Sequence, residues 1–459
     1  MSGRDAIVET IKYSLALVLP ESRKVLAIRE VNAYRLPSVE IPPWTRPAEQ
    51  LQKAIKATWG VQVIVLDFLW SEDRSQVCGV AEVVLLDDVC KLNAVSVQQL
   101  TPSALDELQH AQLGPMLTGG VNAGCPFSQL GWIYEAVSWL ESETGRRLAS
   151  KGAVEQYNAG GAFSLVRFHT EDDCNYWMKA TGEPNAHEPS ITRLLSKLCG
   201  EYLPEIISFR PAWNAWLMSG NALGVSDWPN DPYALLPLLE SAVESMTQLQ
   251  IRTQGHGLTL LSAGAFDQGI EVFQRRSAEL FDYLEEAMSL QTSTKAHRLE
   301  KKRLQEIRAS FEETCERVEY LGIGESIVHG DLNHGNILTG VGHCQFIDWA
   351  EAYLGNPLIS LQHLLLLNRV ESAEVRDFIN GLLKNRYLEI WAANCDPRPL
   401  REAYVYMPML ALASTLYGRG DWLDSPLRND SRRQSYARSL VRYMDRASRE
   451  PEFMAALCH

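Results

Sequence analysis

The sequence predicts an α+β protein in which β-rich segments precede a large helical part. Short apolar runs typical of strands occur at 11–31 and again at 152–181. From Pro237 onward the apolar residues recur at helical spacing, first in LLPLLESAVESMTQLQ and later in VRDFINGLLKNRYLEIWAA. A chain of 459 residues is also too long for one ordinary core, so two or three domains are expected.

Composition restricts the class of protein. A hydrophobic fraction of 46% and a charged fraction of 22% are typical of globular proteins. The net charge of −14 argues against a nucleic-acid partner held through its phosphates. The sequence does not predict the oligomeric state. The N-terminus lacks a signal-peptide profile, and the best apolar run, at 404–417, is shorter than a membrane span and contains Pro408. We therefore expect a cytoplasmic protein without a membrane partner.

The first segment, residues 1–118, contains strands, a proline-rich loop and a helix that ends at Gly60. This order resembles a Nudix domain, a small α/β domain whose catalytic helix holds a divalent metal with glutamates. The resemblance implies a catalytically inactive domain, because the glutamate positions of that helix are occupied by Ala54, Ala57 and Thr58. An unrelated small α+β domain remains an alternative.

A glycine- and proline-rich stretch, GPMLTGGVNAGCPFSQLG, predicts a domain boundary after this segment. A linker and an amphipathic helix would occupy 119–150. A β-rich lobe would follow at 151–220, and a helical lobe at 221–459.

The stretch IVHGDLNHGNILTGVGHCQFIDW, at 327–349, contains the most specific functional candidates. His329, Asp331 and Asn336 have the spacing H-x-D-x-x-x-x-N, and Asp348 follows the next apolar runs. Phosphoryl transfer from ATP needs a carboxylate to accept the hydroxyl proton, and an amide and a second carboxylate to hold magnesium. The alternative is a buried histidine and aspartate that only fix a turn.

This motif, HGDLNHGNIL followed by FIDW, resembles the aminoglycoside phosphotransferase-like kinases, which are relatives of the protein kinases. The resemblance extends over roughly 130–420 and implies a two-lobed, protein-kinase-like fold. It implies that Asp331 is the catalytic base and that Asn336 and Asp348 bind Mg²⁺. His329 would support the loop backbone rather than react.

The resemblance also implies a nucleotide-binding turn in the β-rich lobe. The turn that contains Gly160 and Gly161 would cover the ATP phosphates, because glycine lets the backbone approach phosphate closely. The full G-x-G-x-x-G pattern is missing, so a plain hairpin is the alternative. The adenine edge would bind to the backbone near Leu217 and Ser219.

Lys179, on the strand WMKA, corresponds to the phosphate-binding lysine of that family. A lysine in this position needs a carboxylate to orient it. Glu188 is the predicted partner, and Glu183 is a competing one.

We therefore predict an ATP- and Mg²⁺-dependent phosphotransferase that moves the γ-phosphate to a hydroxyl of a small molecule, either an antibiotic or a metabolite. The alternative is a nucleotide-binding regulatory or scaffold protein with a non-catalytic kinase-like cleft, which the irregular glycine turn favours. The intact set of Asp331, Asn336 and Asp348 argues against that alternative, since carboxylates are costly to hold close together without a metal. The acceptor cannot be read from the sequence, because related folds act on many hydroxyl compounds.

Overall fold

The computed structural model describes residues 10–43, 46–87, 90–118, 126–150, 152–160, 163–220, 228–340, 342–418, 423 and 426–449. The chain packs into two compact units. Unit 1 contains Met1–Pro189 and Ile206–Asn221, and unit 2 contains Ser190–Glu205 and Ala222–His459. The predicted α+β class is confirmed, with two large sheets in unit 1 and a mainly helical unit 2. The four segments expected from the sequence, 1–118, 119–150, 151–220 and 221–459, stay a prediction.

The first sheet of unit 1, here called the front sheet, has seven strands: β1 (Ile11–Leu19), β2 (Lys24–Arg29), β3 (Tyr34–Arg35), β4 (Ser38–Ile41), β5 (Val61–Trp70), β6 (Val77–Leu86) and β7 (Asn93–Val95). β1 pairs in parallel with β6 and antiparallel with β2 and β4. β5 pairs with β6 and ends the row. The Nudix resemblance of this segment stays a prediction.

Three helices accompany the front sheet: α1 (Pro47–Trp59), α2 (Glu107–Thr118) and α3 (Trp132–Thr144). Helix α1 begins with a proline, whose missing N–H is not needed there, and it ends as predicted at Gly60, which has a φ of +66°. Leu51 and Ile55 bury the apolar side of α1 in a core that it shares with one face of the front sheet.

The second sheet of unit 1, here called the lobe sheet, is antiparallel and has five strands: β8 (Val154–Asn158), β9 (Phe163–His169), β10 (Asn175–Thr181), β11 (Ile206–Arg210) and β12 (Ala215–Ser219). Their order is β11-β12-β10-β9-β8. Helix α3 contributes Ile133 and Leu140 to a core that also contains Val80 of the front sheet and Phe168 of the lobe sheet. One continuous apolar core therefore joins both sheets of unit 1.

Helix α4 (Glu188–Cys199) begins in unit 1 and continues into unit 2. The other helices of unit 2 are α5 (Pro232–Thr253), α6 (Gly257–Ser262), α7 (Ile270–Ser289), α8 (Lys301–Tyr320), α9 (Leu358–Leu365), α10 (Ala373–Ala392), α11 (Arg398–Ala403), α12 (Met407–Tyr417) and α13 (Ser431–Arg449). Apolar faces of these helices enclose the largest core of the protein, with Trp349, Tyr387 and Trp391 among its fully buried side chains. Among the described residues, no helix is both long and apolar enough to cross a membrane.

Five short strands support the loop motif in unit 2: β13 (Phe266–Asp267), β14 (Ser326–Val328), β15 (Ile337–Thr339), β16 (Cys344–Phe346) and β17 (Tyr353–Gly355). β14 and β13 pair with opposite sides of β17, and β15 pairs with β16 as a hairpin. The motif therefore leaves the end of β14, enters β15, and returns along β16.

Candidate active site

His329 follows β14 directly and is fully buried. Its Nε2 lies 2.8 Å from the carbonyl oxygen of Ile347, and its ring centroid is 4.5 Å from that of Trp349. The side chain therefore ties the start of the loop to the backbone that precedes Asp348. This contact suits a supporting residue rather than a reacting one.

Gly330 makes the closest backbone approach in the loop. Its φ is +77°, and a Cβ at this position would lie 2.0 Å from the carbonyl oxygen of Glu351. Backbone atoms cannot move aside as a flexible side chain can, so only glycine fits between His329 and Asp331.

Asp331 is exposed at the surface of unit 2, and two amides hold its carboxylate. The Nδ2 of Asn333 donates to Oδ1 at 3.1 Å, and the Nδ2 of Asn336 donates to Oδ2 at 3.1 Å. Asn336 Nδ2 also donates to the Asp331 carbonyl oxygen at 2.8 Å. The carboxylate is therefore fixed in direction while it remains open to solvent.

Asn336 and Asp348 are positioned by the β15–β16 hairpin. The N–H of Ile347 donates to the Asn336 carbonyl oxygen at 3.1 Å, so Asp348 is the next residue beyond this pair. Asp348 has a φ of +69°, an uncommon conformation for a residue other than glycine and one that occurs preferentially at functional sites.

The side-chain oxygen atoms of Asn336 and Asp348 are of the kind that binds magnesium together with a nucleotide. The amide nitrogen of Asn336 donates to Asp331, so its Oδ1 and the Asp348 carboxylate are the oxygen atoms that would hold the metal. Within the described part of the chain, no group of three or more His, Cys, Asp and Glu residues could hold a metal ion by itself. Mg²⁺ is commonly bound by one or two carboxylates together with substrate phosphates, so the small number of protein ligands agrees with its chemistry.

Lys179 and Glu188 form a buried ion pair in unit 1. The Lys179 Nζ lies 2.6 Å from Glu188 Oε1, and the two side chains are 7% and 1% exposed. The rings of Phe163 and Trp216 face the ammonium, with centroids 5.2 Å and 5.6 Å away. The pairing is thus with Glu188 rather than with Glu183, and water is largely excluded from it.

The nucleotide-binding turn predicted between β8 and β9 is described only in part. Gly160 has a φ of +117° and open space where a Cβ would stand, whereas Gly161 lies outside the described residues. Leu217 is fully buried in the middle of β12, a strand that pairs on both sides, and Ser219 ends that strand. The nucleotide contacts of these four residues stay a prediction.

The structure adds supporting residues that sequence reasoning missed. Asn333 lies inside the quoted motif, so its amide could have been noticed there. The contact of Gly330 with Glu351 and the ring of Trp216 beside Lys179 depend on strand register, which the motif does not contain.

A further missed residue is His363 on α9. Burial, with a smaller electrostatic contribution from the neighbouring His329, lowers the pKa of His363 to about 4. This imidazole is therefore neutral near neutral pH.

Comparison with known protein families finds a match over the loop region. Residues 241–393, about a third of the chain, match the phosphotransferase enzyme family (APH). This range contains the whole motif from His329 to Asp348. No curated protein matches the chain.

Several solved structures show a distant likeness. The ethanolamine kinase of Plasmodium vivax is 12% identical, with 77% of this chain and 97% of that chain covered and a TM-score of 0.45. A choline/ethanolamine kinase family protein from Mesorhizobium loti is 16% identical, with 69% and 99% covered and a TM-score of 0.43. A macrolide 2'-phosphotransferase from Brachybacterium faecium is 15% identical, with 67% and 97% covered and a TM-score of 0.38. These values are too low to assign a substrate.

The family match and the loop geometry agree on one point. The residues that carry H-x-D-x-x-x-x-N and the following aspartate lie inside the matched range and form one hydrogen-bonded loop. The resemblance of this chain to the aminoglycoside phosphotransferase-like kinases is thereby confirmed.

Proposed function

We propose that this protein transfers the γ-phosphate of ATP to a hydroxyl group of a small molecule. The observation that carries the proposal is the fixed carboxylate of Asp331, which two amides orient while it remains exposed. A general base has to lie within hydrogen-bond reach of the proton that it accepts, and an oriented, open carboxylate meets that need.

Each group of the proposed site has its own role in this reaction. The acceptor oxygen forms a bond to the γ-phosphorus, the bond between that phosphorus and the β-phosphate oxygen breaks, and the hydroxyl proton moves to Asp331. Asn336 Oδ1 and the Asp348 carboxylate would hold Mg²⁺, which neutralises charge on the phosphates. Lys179, oriented by Glu188, would bind phosphate oxygens, and Gly160 would let the backbone approach them.

A cavity of about 310 Å³ beside the loop is a candidate acceptor pocket. Its walls include Trp228, Asn333, His334 and Arg369, and the Trp228 ring stacks on His334 at a centroid distance of 4.7 Å. No aspartate or glutamate lines the cavity within the described part of the chain. A polycationic acceptor such as an aminoglycoside would lack a counter-charge there, so a neutral or anionic hydroxyl compound suits the cavity better.

The test is a panel of hydroxyl compounds scored by acceptor-dependent consumption of ATP with Mg²⁺. The panel should include neutral, anionic and polycationic members, with the Asp331→Asn variant as the matched control. Turnover with one acceptor that is lost in the variant supports the proposal. If the protein binds ATP and Mg²⁺ but none of the acceptors in the panel stimulates consumption of ATP, the regulatory alternative is favoured.

The metal site is tested separately by thermal unfolding. ATP with Mg²⁺ at about 100 times its dissociation constant should stabilise the protein by roughly 2.7 kcal/mol. Asp348→Ala should remove most of the Mg²⁺-dependent part of the shift. If the variant keeps that part, Asp348 does not hold the metal.

A further inference from the structure

Unit 1 contains a cavity of about 660 Å³ that none of the proposed catalytic residues lines. It lies at the edge of the front sheet, where β5 ends the row of strands, and α1, α3, β6 and the β8–β9 hairpin supply its other walls. Pockets for small molecules commonly measure about 300–1,000 Å³. The cavity is therefore large enough for a compound of metabolite size. Because successive side chains of a strand point to opposite faces, its two sides at β5 differ.

The apolar lining lies almost entirely on the α3 side of β5. Ile64 belongs to the core that α3 shares with the front sheet, whereas Val63, the preceding residue, belongs to the core of α1. The remaining aliphatic side chains of the lining belong to, or pack against, the same core as Ile64: Val84, Ile133, Val137, Leu148 and Val154. This side of the cavity, here called the α3 groove, therefore has an apolar base.

The basic side chains of the lining do not reach the α3 groove. Lys53 and Lys56 belong to α1, which packs on the opposite face of the front sheet. Arg167 alternates along β9 with Val166 and Phe168, whose side chains belong to the α3 core, so Arg167 points away from that core. Within the described part of the chain, the α3 groove thus contains no basic group.

One carboxylate, that of Glu141, lies at the end of the α3 groove. Ile133, Val137 and Glu141 are spaced four residues apart on α3, so they form one stripe along the helix. One helical turn rises about 5.4 Å, which places the carboxylate about one turn from Val137. Glu141 accepts one long hydrogen bond, at 3.4 Å, from the Leu148 N–H. Its carboxylate therefore keeps capacity to bind a ligand.

The end of α3 favours a positively charged ligand. Peptide dipoles leave a partial negative charge at the carboxyl end of a helix, and the last turn of α3 contains Glu141 and no basic residue. Arg146, just beyond the helix, pairs with Asp172 at 2.7 Å, and neither Arg146 nor Arg147 lines the cavity. A cation at Glu141 would therefore meet negative charge that no basic residue of the groove balances.

We propose that the α3 groove binds a small primary amine with an apolar body, of the arylalkylamine class. The ammonium would donate to the Glu141 carboxylate, and the apolar body would lie against Val137, Ile133 and Ile64. A chain of two carbons between ammonium and ring is short enough for both contacts, because Val137 and Glu141 are neighbours on one stripe of α3. A charge-assisted hydrogen bond and burial of the ring would together select this class of ligand. This site does not depend on the proposed function.

The direct test is calorimetric titration of the full chain with phenethylamine, tryptamine and n-hexylamine. Three probes separate the contributions to binding. 2-Phenylethanol lacks the charge, 3-phenylpropionate reverses it, and ethylamine lacks the apolar body. We expect at least one of the three amines to bind. Each of the three probes should bind at least about tenfold more weakly than phenethylamine, as for the loss of a hydrogen bond to a charged group or of a buried apolar group.

Matched variants locate the ammonium. Glu141→Gln keeps the size of the side chain and removes its charge, so it should weaken phenethylamine about tenfold and leave 2-phenylethanol unchanged. Glu143→Gln, at an exposed position in the same helical turn that does not line the cavity, should change nothing. Glu49→Gln, on the α1 side of the same cavity, should also leave binding unchanged. Val137→Trp should block the amines by filling the groove.

Several outcomes overturn the inference. Absence of binding by all three amines at millimolar concentration, or binding that survives Val137→Trp, would show that the groove is not an amine site. Equal affinity for phenethylamine and 2-phenylethanol would show that the charge of the ligand is not recognised. Weakening by Glu143→Gln as large as that by Glu141→Gln would indicate only general attraction to an acidic helix end, and a loss confined to Glu49→Gln would place the ammonium on the α1 side.

Discussion

The side-chain amide of Gln156 forms two hydrogen bonds with the backbone of Val65. The N–H of Val65 donates to Gln156 Oε1 at 2.8 Å, and Gln156 Nε2 donates to the Val65 carbonyl oxygen at 2.8 Å. Gln156 is buried, and its own backbone N–H donates to Gln52 Oε1 of α1 at 2.9 Å. One residue of β8 thus connects the edge of the front sheet with the edge of the lobe sheet.

Gln156→Ala should lower the free energy of unfolding by about 2–4 kcal/mol. The variant leaves the N–H and the carbonyl of Val65 buried without partners, and it also creates a void. Urea unfolding measures the effect. Gln76→Ala, at an exposed position, is the control and should change stability by less than about 0.5 kcal/mol. Equal stability of the two variants would show that the amide does not join the sheets.

Gly330→Ala should destabilise the protein by at least about 3 kcal/mol. The new Cβ would meet the Glu351 carbonyl oxygen at 2.0 Å, and the left-handed backbone adds its own strain for a non-glycine residue. Thermal and urea unfolding can be compared with those of Gly381→Ala. Gly381 lies in α10 with open space around its Cβ position, so that variant should be neutral or slightly more stable. A stable, active Gly330→Ala variant would contradict the described loop.

Acid should destabilise unit 2 through His363. Its pKa is about 4 in the folded protein and about 6.5 in an unfolded chain, so the unfolded state binds more protons between these values. The stabilising contribution is therefore present above pH 6.5 and is lost as the pH falls toward 4, with about 2 kcal/mol lost by pH 5. His363→Gln should flatten the dependence of urea unfolding on pH between 7 and 5. His297→Gln, at an exposed position, should preserve it.

Local sequence patterns were enough to predict the loop motif at 327–349 and several of the helices. The helix that ends at Gly60 is present, and the two helical segments expected after Pro237, LLPLLESAVESMTQLQ and VRDFINGLLKNRYLEIWAA, fold as α5 and α10. Such features depend on neighbours within a few residues, through apolar spacing and capping.

Contacts between distant segments were not predictable in the same way. The bond from Gln156 to Val65 joins residues 91 positions apart, and a plain glutamine in a strand gives no signal of it. The choice of Glu188 over Glu183 as the partner of Lys179 likewise needs the three-dimensional position of α4. Sequence spacing therefore indicated which chemistry to expect, whereas packing decides which side chains support it.

Asp331→Asn is the sharpest test of the proposed chemistry. The asparagine keeps the size of the side chain. Its Oδ1 can still accept a hydrogen bond from one of Asn333 and Asn336, whereas its Nδ2 replaces the acceptor of the other, so the loop should lose one contact and keep most of its shape.

The substitution removes the negative charge that accepts the hydroxyl proton. Phosphoryl transfer should therefore fall at least about a hundredfold, the lower range for a positioned base. Affinity for ATP and Mg²⁺, measured by calorimetry, should stay near that of the unaltered protein, because the proposed metal ligands are Asn336 and Asp348. Transfer at an unchanged rate would show that another group accepts the proton. Loss of nucleotide binding together with transfer would show that Asp331 serves the metal site instead.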